Sequence, residues 1–266
     1  MPLIEPTLWG TRDKVQIAID RLRQFEPDEG YYLAFSGGKD SVTIKRLTEM
    51  AGVKFDAHYH ITTVDPPELV QFIKRQHPDV ERERPEMTMF QLMCLRRHFM
   101  PPMRQARWCC EALKERGGEG RFVVTGIRWA ESTQRQDRRM IEQCAPLRKR
   151  MMHPIIDWLD SDVWEFIRQN QVPYCALYDE GFDRLGCILC PSECNPDRIQ
   201  AQIERWPTIT RRYVRTFDKL VQLRREAGRK CTWANGQELF DWWIDRRKKQ
   251  HPPDEQMELF SMDGME

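Results

Sequence analysis

One stretch constrains the fold more than any other: Tyr31-Tyr32-Leu33-Ala34-Phe35-Ser36-Gly37-Gly38-Lys39-Asp40-Ser41. Its apolar start reads as a buried strand, its paired glycines as a loop, and the spacing of Ile44, Leu47 and Ala51 as one face of a helix. Strand, glycine loop and helix in that order make an anion cradle. Glycines let backbone N–H groups approach an oxyanion, and the helix N-terminus adds a favourable dipole. Ser36, Lys39 and Ser41 supply hydroxyl donors and a positive charge. A phosphate or sulfate is expected there. The four-residue gap between glycines that marks the Walker loop is missing, so this is a phosphate loop of another kind.

The flanking chain alternates strand and helix patterns. A helix is expected through Val15, Ala18, Ile19 and Leu22, packed at the sheet edge, and strands over Phe55 to His60 and Phe122 to Thr125. Pro66-Pro67-Glu68 opens a further helix. A fourth short strand is expected at Ile155-Ile156, followed by a helix capped by Asp160-Ser161 that carries Val163, Phe166 and Ile167. Such alternation predicts an α/β fold, a parallel sheet with helices on both faces, with ligands at the carboxyl ends of its strands. From about residue 196 the pattern turns purely helical, through Tyr213, Phe217 and Leu220 and then Leu239, Phe240 and Trp243. The expected organisation is a nucleotide-binding domain over 1–195 that includes the cysteine loop, a helical part over 196–250 and a flexible tail over 251–266.

No run of apolar residues is long enough to span a membrane, and the first residues lack a basic-then-apolar leader, so no membrane association and a cytoplasmic location are expected. In a reducing compartment, nine cysteines point to metal binding or catalysis rather than disulfides. Net charge is only +1, which excludes a global attraction to nucleic acid. Local basic clusters remain at Arg135 to Arg139, Arg148 to Arg150, Arg211 to Arg215 and Arg246 to Lys249, the last two reading as solvated helix faces.

Two more groups carry chemistry. Thr125-Gly126-Ile127-Arg128 follows an expected strand, with Arg135 shortly after, so a glycine and two guanidinium groups can meet a nucleotide. Glu131 and Ser132 fit capping and ion-pair roles. Cys109-Cys110 and the distant Gly186-Cys187-Ile188-Leu189-Cys190-Pro191-Ser192-Glu193-Cys194 offer paired thiols for a tetrahedral thiolate site, either zinc or an iron–sulfur cluster. Cys94, Cys144, Cys175 and Cys231 stand singly and read as small buried hydrophobes.

Together these motifs resemble the phosphoadenylyl-sulfate (PAPS) reductase-like family of PP-loop proteins, the N-type ATP pyrophosphatases with an adenine nucleotide alpha hydrolase-like fold. SGGKDS resembles the PP-loop, and Gly126 to Arg135 resembles the pattern Gly-x-Arg-x-x-Glu-Ser-x-x-Arg. The resemblance runs over roughly residues 31–195 and extends to adenylyl-sulfate reductases and to DNA-phosphorothioation and tRNA-thiolation enzymes. It implies ATP, PAPS or adenylyl sulfate held by Ser36, Gly37, Gly38, Lys39, Asp40, Ser41, Gly126, Arg128 and Arg135. Lys39, Asp40 and Arg128 would act on the nucleotide, with Asp40 orienting Mg2+. A [4Fe–4S] cluster is implied on Cys109, Cys187 and Cys190, with Cys110 and Cys194 contending for the remaining place.

The reductases' nucleophilic cysteine near the C-terminus is missing here, which points instead to ATP-dependent sulfur transfer onto a nucleic-acid acceptor, with sulfur from a donor protein. A sulfonucleotide reductase using another thiol such as Cys231, and a nucleotide-sensing module without turnover, are the alternatives. The phosphate loop and the thiolate centre are expected to meet in one pocket. Gln256-Met257-Glu258-Leu259-Phe260 resembles the peptide that docks on bacterial DNA sliding clamps.

Overall fold

The computed structural model describes residues 3–8, 10–95, 99–144 and 148–245. The Arg246 to Lys249 cluster and the Gln256 to Phe260 peptide lie outside them. In chain order the strands are β1 (Ile4–Thr7), β2 (Gly10–Asp13), β3 (Tyr31–Ala34), β4 (Phe55–His60), β5 (Glu81–Glu83), β6 (Phe122–Val124), β7 (Ile141–Cys144) and β8 (Lys149–Met152). The helices are α1 (Lys14–Gln24), α2 (Lys39–Ala51), α3 (Pro67–Gln76), α4 (Met89–Leu95), α5 (Trp108–Leu113), α6 (Thr133–Gln136), α7 (Asp160–Gln169), α8 (Pro196–Arg205), α9 (Pro207–Glu226) and α10 (Gly236–Ile244). They fall into two compact units, one of residues 1–61, 65–84 and 115–186, the other of 62–64, 85–114 and 187–266.

The first unit is an α/β layer structure around a sheet of order β5-β4-β3-β6-β8-β7. All neighbours are parallel except the edge strand β7, which runs antiparallel to β8. The central strands are apolar because both faces are covered: Tyr31, Leu33, Val123 and Val124 are buried. After β3 the chain crosses to β4 on one side, and β6 then takes the other side. The boundary between β3 and β6 is therefore the topological switch point, where the two following loops diverge and leave a crevice.

Three local expectations need correction. Ile155-Ile156 is a turn, and the strand is the preceding β8, because Arg150, Met151 and Met152 find the open edge of β6. Helix α7 is not capped by Asp160 or Ser161: the Asp162 carboxylate accepts from the Leu159 N–H at 2.8 Å and also holds the Lys14 ammonium at 2.7 Å. Helix α1 packs against α2 rather than at the sheet edge.

The second unit is helical. Helices α4 and α10 pack on α9 through Phe90, Tyr213, Phe217 and Trp243, whose rings lie 5.1–5.3 Å from their neighbours. The buried Trp243 indole N–H donates to the Pro102 carbonyl at 2.7 Å. Gly236 is required here, since a Cβ would stand 2.2 Å from the Asp218 amide nitrogen. Among the described residues, no helix is long and apolar enough to cross a membrane.

Candidate functional site

The loop expected to cradle an anion lies where β3 runs into α2. Gly37 takes φ of +73°, and a Cβ there would lie 2.7 Å from Leu69 Cδ1, so both backbone and space demand glycine. Gly38 occupies the N-cap position without a capping side chain, leaving the end of α2 open to a ligand. Among the described residues, the N–H groups of Ser36, Gly37 and Asp40 have no hydrogen-bond acceptor. The Lys39 N–H donates to the Tyr178 hydroxyl at 2.8 Å. Ser41 Oγ donates to the Gly38 carbonyl at 2.8 Å and lies 3.3 Å from Ser36 Oγ, tying the two hydroxyls to the loop.

The loop after β6 closes the other wall. A Cβ on Gly126 would stand 2.8 Å from Asp40 Cβ, so glycine allows the two loops to touch. Arg128, only 2% exposed, donates from Nε to Asp40 Oδ1 at 2.6 Å and from Nη2 to Asp160 Oδ1 at 3.0 Å. Burial raises the pKa of Asp40, while Arg128 and Lys39 pull it back down. Its second oxygen makes no hydrogen bond among the described residues, and the side chain is 25% exposed. The Lys39 ammonium lies 3.2 Å from Asp160 Oδ1 and 3.2 Å from the Asp183 carbonyl. Arg135 pairs with Glu131, whose Oε1 also accepts from the Arg128 N–H at 2.9 Å. Glu131 therefore orders this loop.

Ser36, Gly37, Gly38, Lys39, Asp40, Ser41, Gly126 and Arg128 are thus brought together, with Arg135 joined through Glu131. Sequence reasoning missed Tyr178 and Asp160. Burial raises the Tyr178 pKa, so it stays a neutral phenol over the loop. Its only sequence signal is its place in the segment leading to Gly186-Cys187.

The thiols lie in the second unit. Cys109, on α5, is 6% exposed, and its pKa is raised first by a hydrogen bond with Cys110, then by burial, then by the nearby Cys110, Cys187 and Cys190. Four thiols that lie near one another are a donor set that a cationic centre would satisfy. Leu189, inside the Cys-x-x-Cys, takes φ of +56°, an uncommon left-handed turn between the paired thiols. Ile188 N–H anchors that turn on the Val64 carbonyl at 2.8 Å, and Leu189 N–H on Gln202 Oε1 at 2.6 Å. Cys194 accepts from Arg104 Nη1 at its sulfur, at 3.0 Å. Among the described residues, no three His, Cys, Asp or Glu side chains are arranged to hold a single metal ion.

Residues 30–193, more than half of the chain, match the family model described as phosphoadenosine phosphosulfate reductase domain. The chain belongs to the phosphoadenosine phosphosulfate reductase family. It is similar to an uncharacterized protein of Methanocaldococcus jannaschii, 27% identical over a 237-residue alignment that covers 82% of this chain and 46% of that one. The adenosine 5'-phosphosulfate reductase of Oceanobacillus iheyensis is 27% identical over 158 residues, 57% of this chain and 63% of that one. The chain spans less than two thirds of the length of either. Among solved structures, the phosphoadenylyl-sulfate reductase from Candida auris in its phosphate complex aligns with a TM-score of 0.49 at 18% identity, covering 64% of this chain and 87% of that one.

Proposed function

We propose that this family member is an ATP-dependent sulfur-transfer enzyme that binds an adenine nucleotide at the switch point between β3 and β6 and modifies a nucleic-acid acceptor. The reading is carried by the unpartnered N–H groups of Ser36, Gly37 and Asp40 at the open end of α2, beside the Lys39 ammonium. That arrangement suits the phosphates of ATP. Backbone donors fixed before binding stabilise the charge that builds on the phosphate oxygens as pyrophosphate departs, without reorganising. Lys39 would move from Asp160 to the leaving phosphates, and Arg128 would favour the charged form of Asp40 against the effect of burial. Asp40 keeps one oxygen for Mg2+, an ion that takes one or two carboxylates together with substrate phosphates.

An acceptor oxygen attacks the α-phosphorus, the bond to the bridging oxygen breaks, and pyrophosphate leaves with the electron pair. Adenylate then becomes the leaving group for sulfur. Cys109, Cys110, Cys187 and Cys190 would hold the [4Fe–4S] cluster, since thiolates are its usual ligands and these four lie near one another. Such a cluster would supply redox chemistry or a sulfur-binding iron. Cys194, held by Arg104, would remain outside it.

The likeness to adenosine 5'-phosphosulfate reductases favours one other reading, reduction of a sulfonucleotide. Incubation of anaerobically purified protein with ATP and RNA or DNA should release pyrophosphate, and Lys39→Ala should reduce that release by about 100-fold, the scale of losing one charge-stabilising donor. Sulfite release from adenylyl sulfate without ATP consumption would decide for the reductase.

A further inference from the structure

A groove of about 430 Å3 in the helical unit lies between α4 and α9. Its floor is Phe90, its apolar rim Met87 and Leu95, and its other wall Arg212, Arg215 and Lys219. The rim is unusually bare: Leu95 is 67% and Met87 37% exposed. Arg212, Arg215 and Lys219 recur at helical spacing on one face of α9, and among the described residues none is in an ion pair. Arg212 instead lies over the Phe90 ring at 4.4 Å. A surface that combines uncovered apolar side chains with unneutralised cations fits a ligand that is both apolar and acidic. Bare phosphates would leave Leu95 and Met87 in water.

We infer that residues 254–260 of this same chain, Asp254-Glu255-Gln256-Met257-Glu258-Leu259-Phe260, dock in this groove. Residues 251–266 carry five carboxylate side chains and no Lys or Arg, interleaved with Met257, Leu259, Phe260 and Met262. The charges complement the α9 wall, and Leu259 and Phe260 supply the anchors that cover the rim. The origin of the segment is close. The Trp243 ring, near the end of α10, is 5.1 Å from Tyr213, which is 5.1 Å from the groove floor Phe90. Fourteen residues from Asp245 to Leu259 reach about 45 Å when extended, several times what is needed. Binding within one chain benefits from a high effective concentration, so weak contacts suffice. Docking would withhold the Leu259-Phe260 anchors from any outside partner until it competes for them.

Cys94 lines the groove and reports its occupancy. The full chain is pulsed with N-ethylmaleimide and the labelling of each cysteine read by peptide mass, with the buried Cys175 as a folding control. Leu259→Ala with Phe260→Ala should speed Cys94 labelling about fivefold, the effect of emptying a groove that is about 80% occupied. Arg215→Glu with Lys219→Glu should do the same, and adding Asp254→Lys, Glu255→Lys and Glu258→Lys should restore protection. Unchanged Cys94 labelling in the first variant overturns the inference. So does protection that vanishes on dilution, which marks docking between chains, or protection that needs added single-stranded oligonucleotide, which marks a nucleic-acid surface.

Discussion

Acidification should destabilise this protein through His153 more than through any generic charge effect. His153 follows β8, is fully buried, and shares a 2.7 Å hydrogen bond between Nδ1 and the hydroxyl of Thr125, the residue before Gly126. Its Nε2 has no hydrogen-bond partner among the described residues, and the nearest carboxylate, Glu142, stands 3.8 Å away. Burial, with Arg138 adding to it, lowers the pKa to about 4 from an ordinary 6.5. The folded state thus holds the imidazole neutral while the unfolded chain takes up a proton. Below pH 6.5 the unfolded state binds more protons, so stability falls, and the loss levels off only below pH 4. A shift of that size corresponds to about 3 kcal/mol in total, of which about 2.5 kcal/mol is lost by pH 4.5. Against a typical stability of about 5–15 kcal/mol this is a large fraction. Urea unfolding followed by tryptophan fluorescence should therefore show wild type losing about 2.5 kcal/mol more than His153→Gln between pH 7.5 and 4.5. The carboxylates common to both proteins cancel in that comparison. Parallel stability curves for the two proteins would refute the reasoning.

Gly37→Ala should cost about 2 kcal/mol or more through the positive φ and the clash with Leu69 and Ile73, and should weaken nucleotide binding; calorimetry with ATP and a melting curve measure both. Cys187→Ser should strip the brown colour and most of the iron from anaerobically purified protein, as read by absorbance and iron analysis, and unchanged iron would remove Cys187 from the ligand set. Iron content in Cys194→Ser should stay close to wild type, because its sulfur is engaged by the Arg104 guanidinium.

Chain order and local physics were enough for the strand, glycine loop and helix of Tyr31 to Ala51. A strand, two glycines and a helix start are contiguous, and their geometry follows from backbone preferences that act within a few residues. The same holds for β4, whose Phe55–His60 bounds agree with the apolar pattern, and for the apolar faces of α9 and α10. The fourth sheet strand was misplaced because Ile155 and Ile156 are as apolar as a strand and equally buried, yet sit in a turn. Only pairing with β6 selects Lys149–Met152, which by composition looks exposed.

From the amino-acid order alone came the class of fold, the glycine loop between β3 and α2 and the candidate thiols, because each is written in residues adjacent along the chain. What tertiary structure decided was which groups face one another: that Arg128 lies on Asp40 and Asp160, that Tyr178 covers the loop, and that Cys194 turns to Arg104. Those pairings join residues up to 139 positions apart. They depend on where strands and helices stack, which no local propensity encodes.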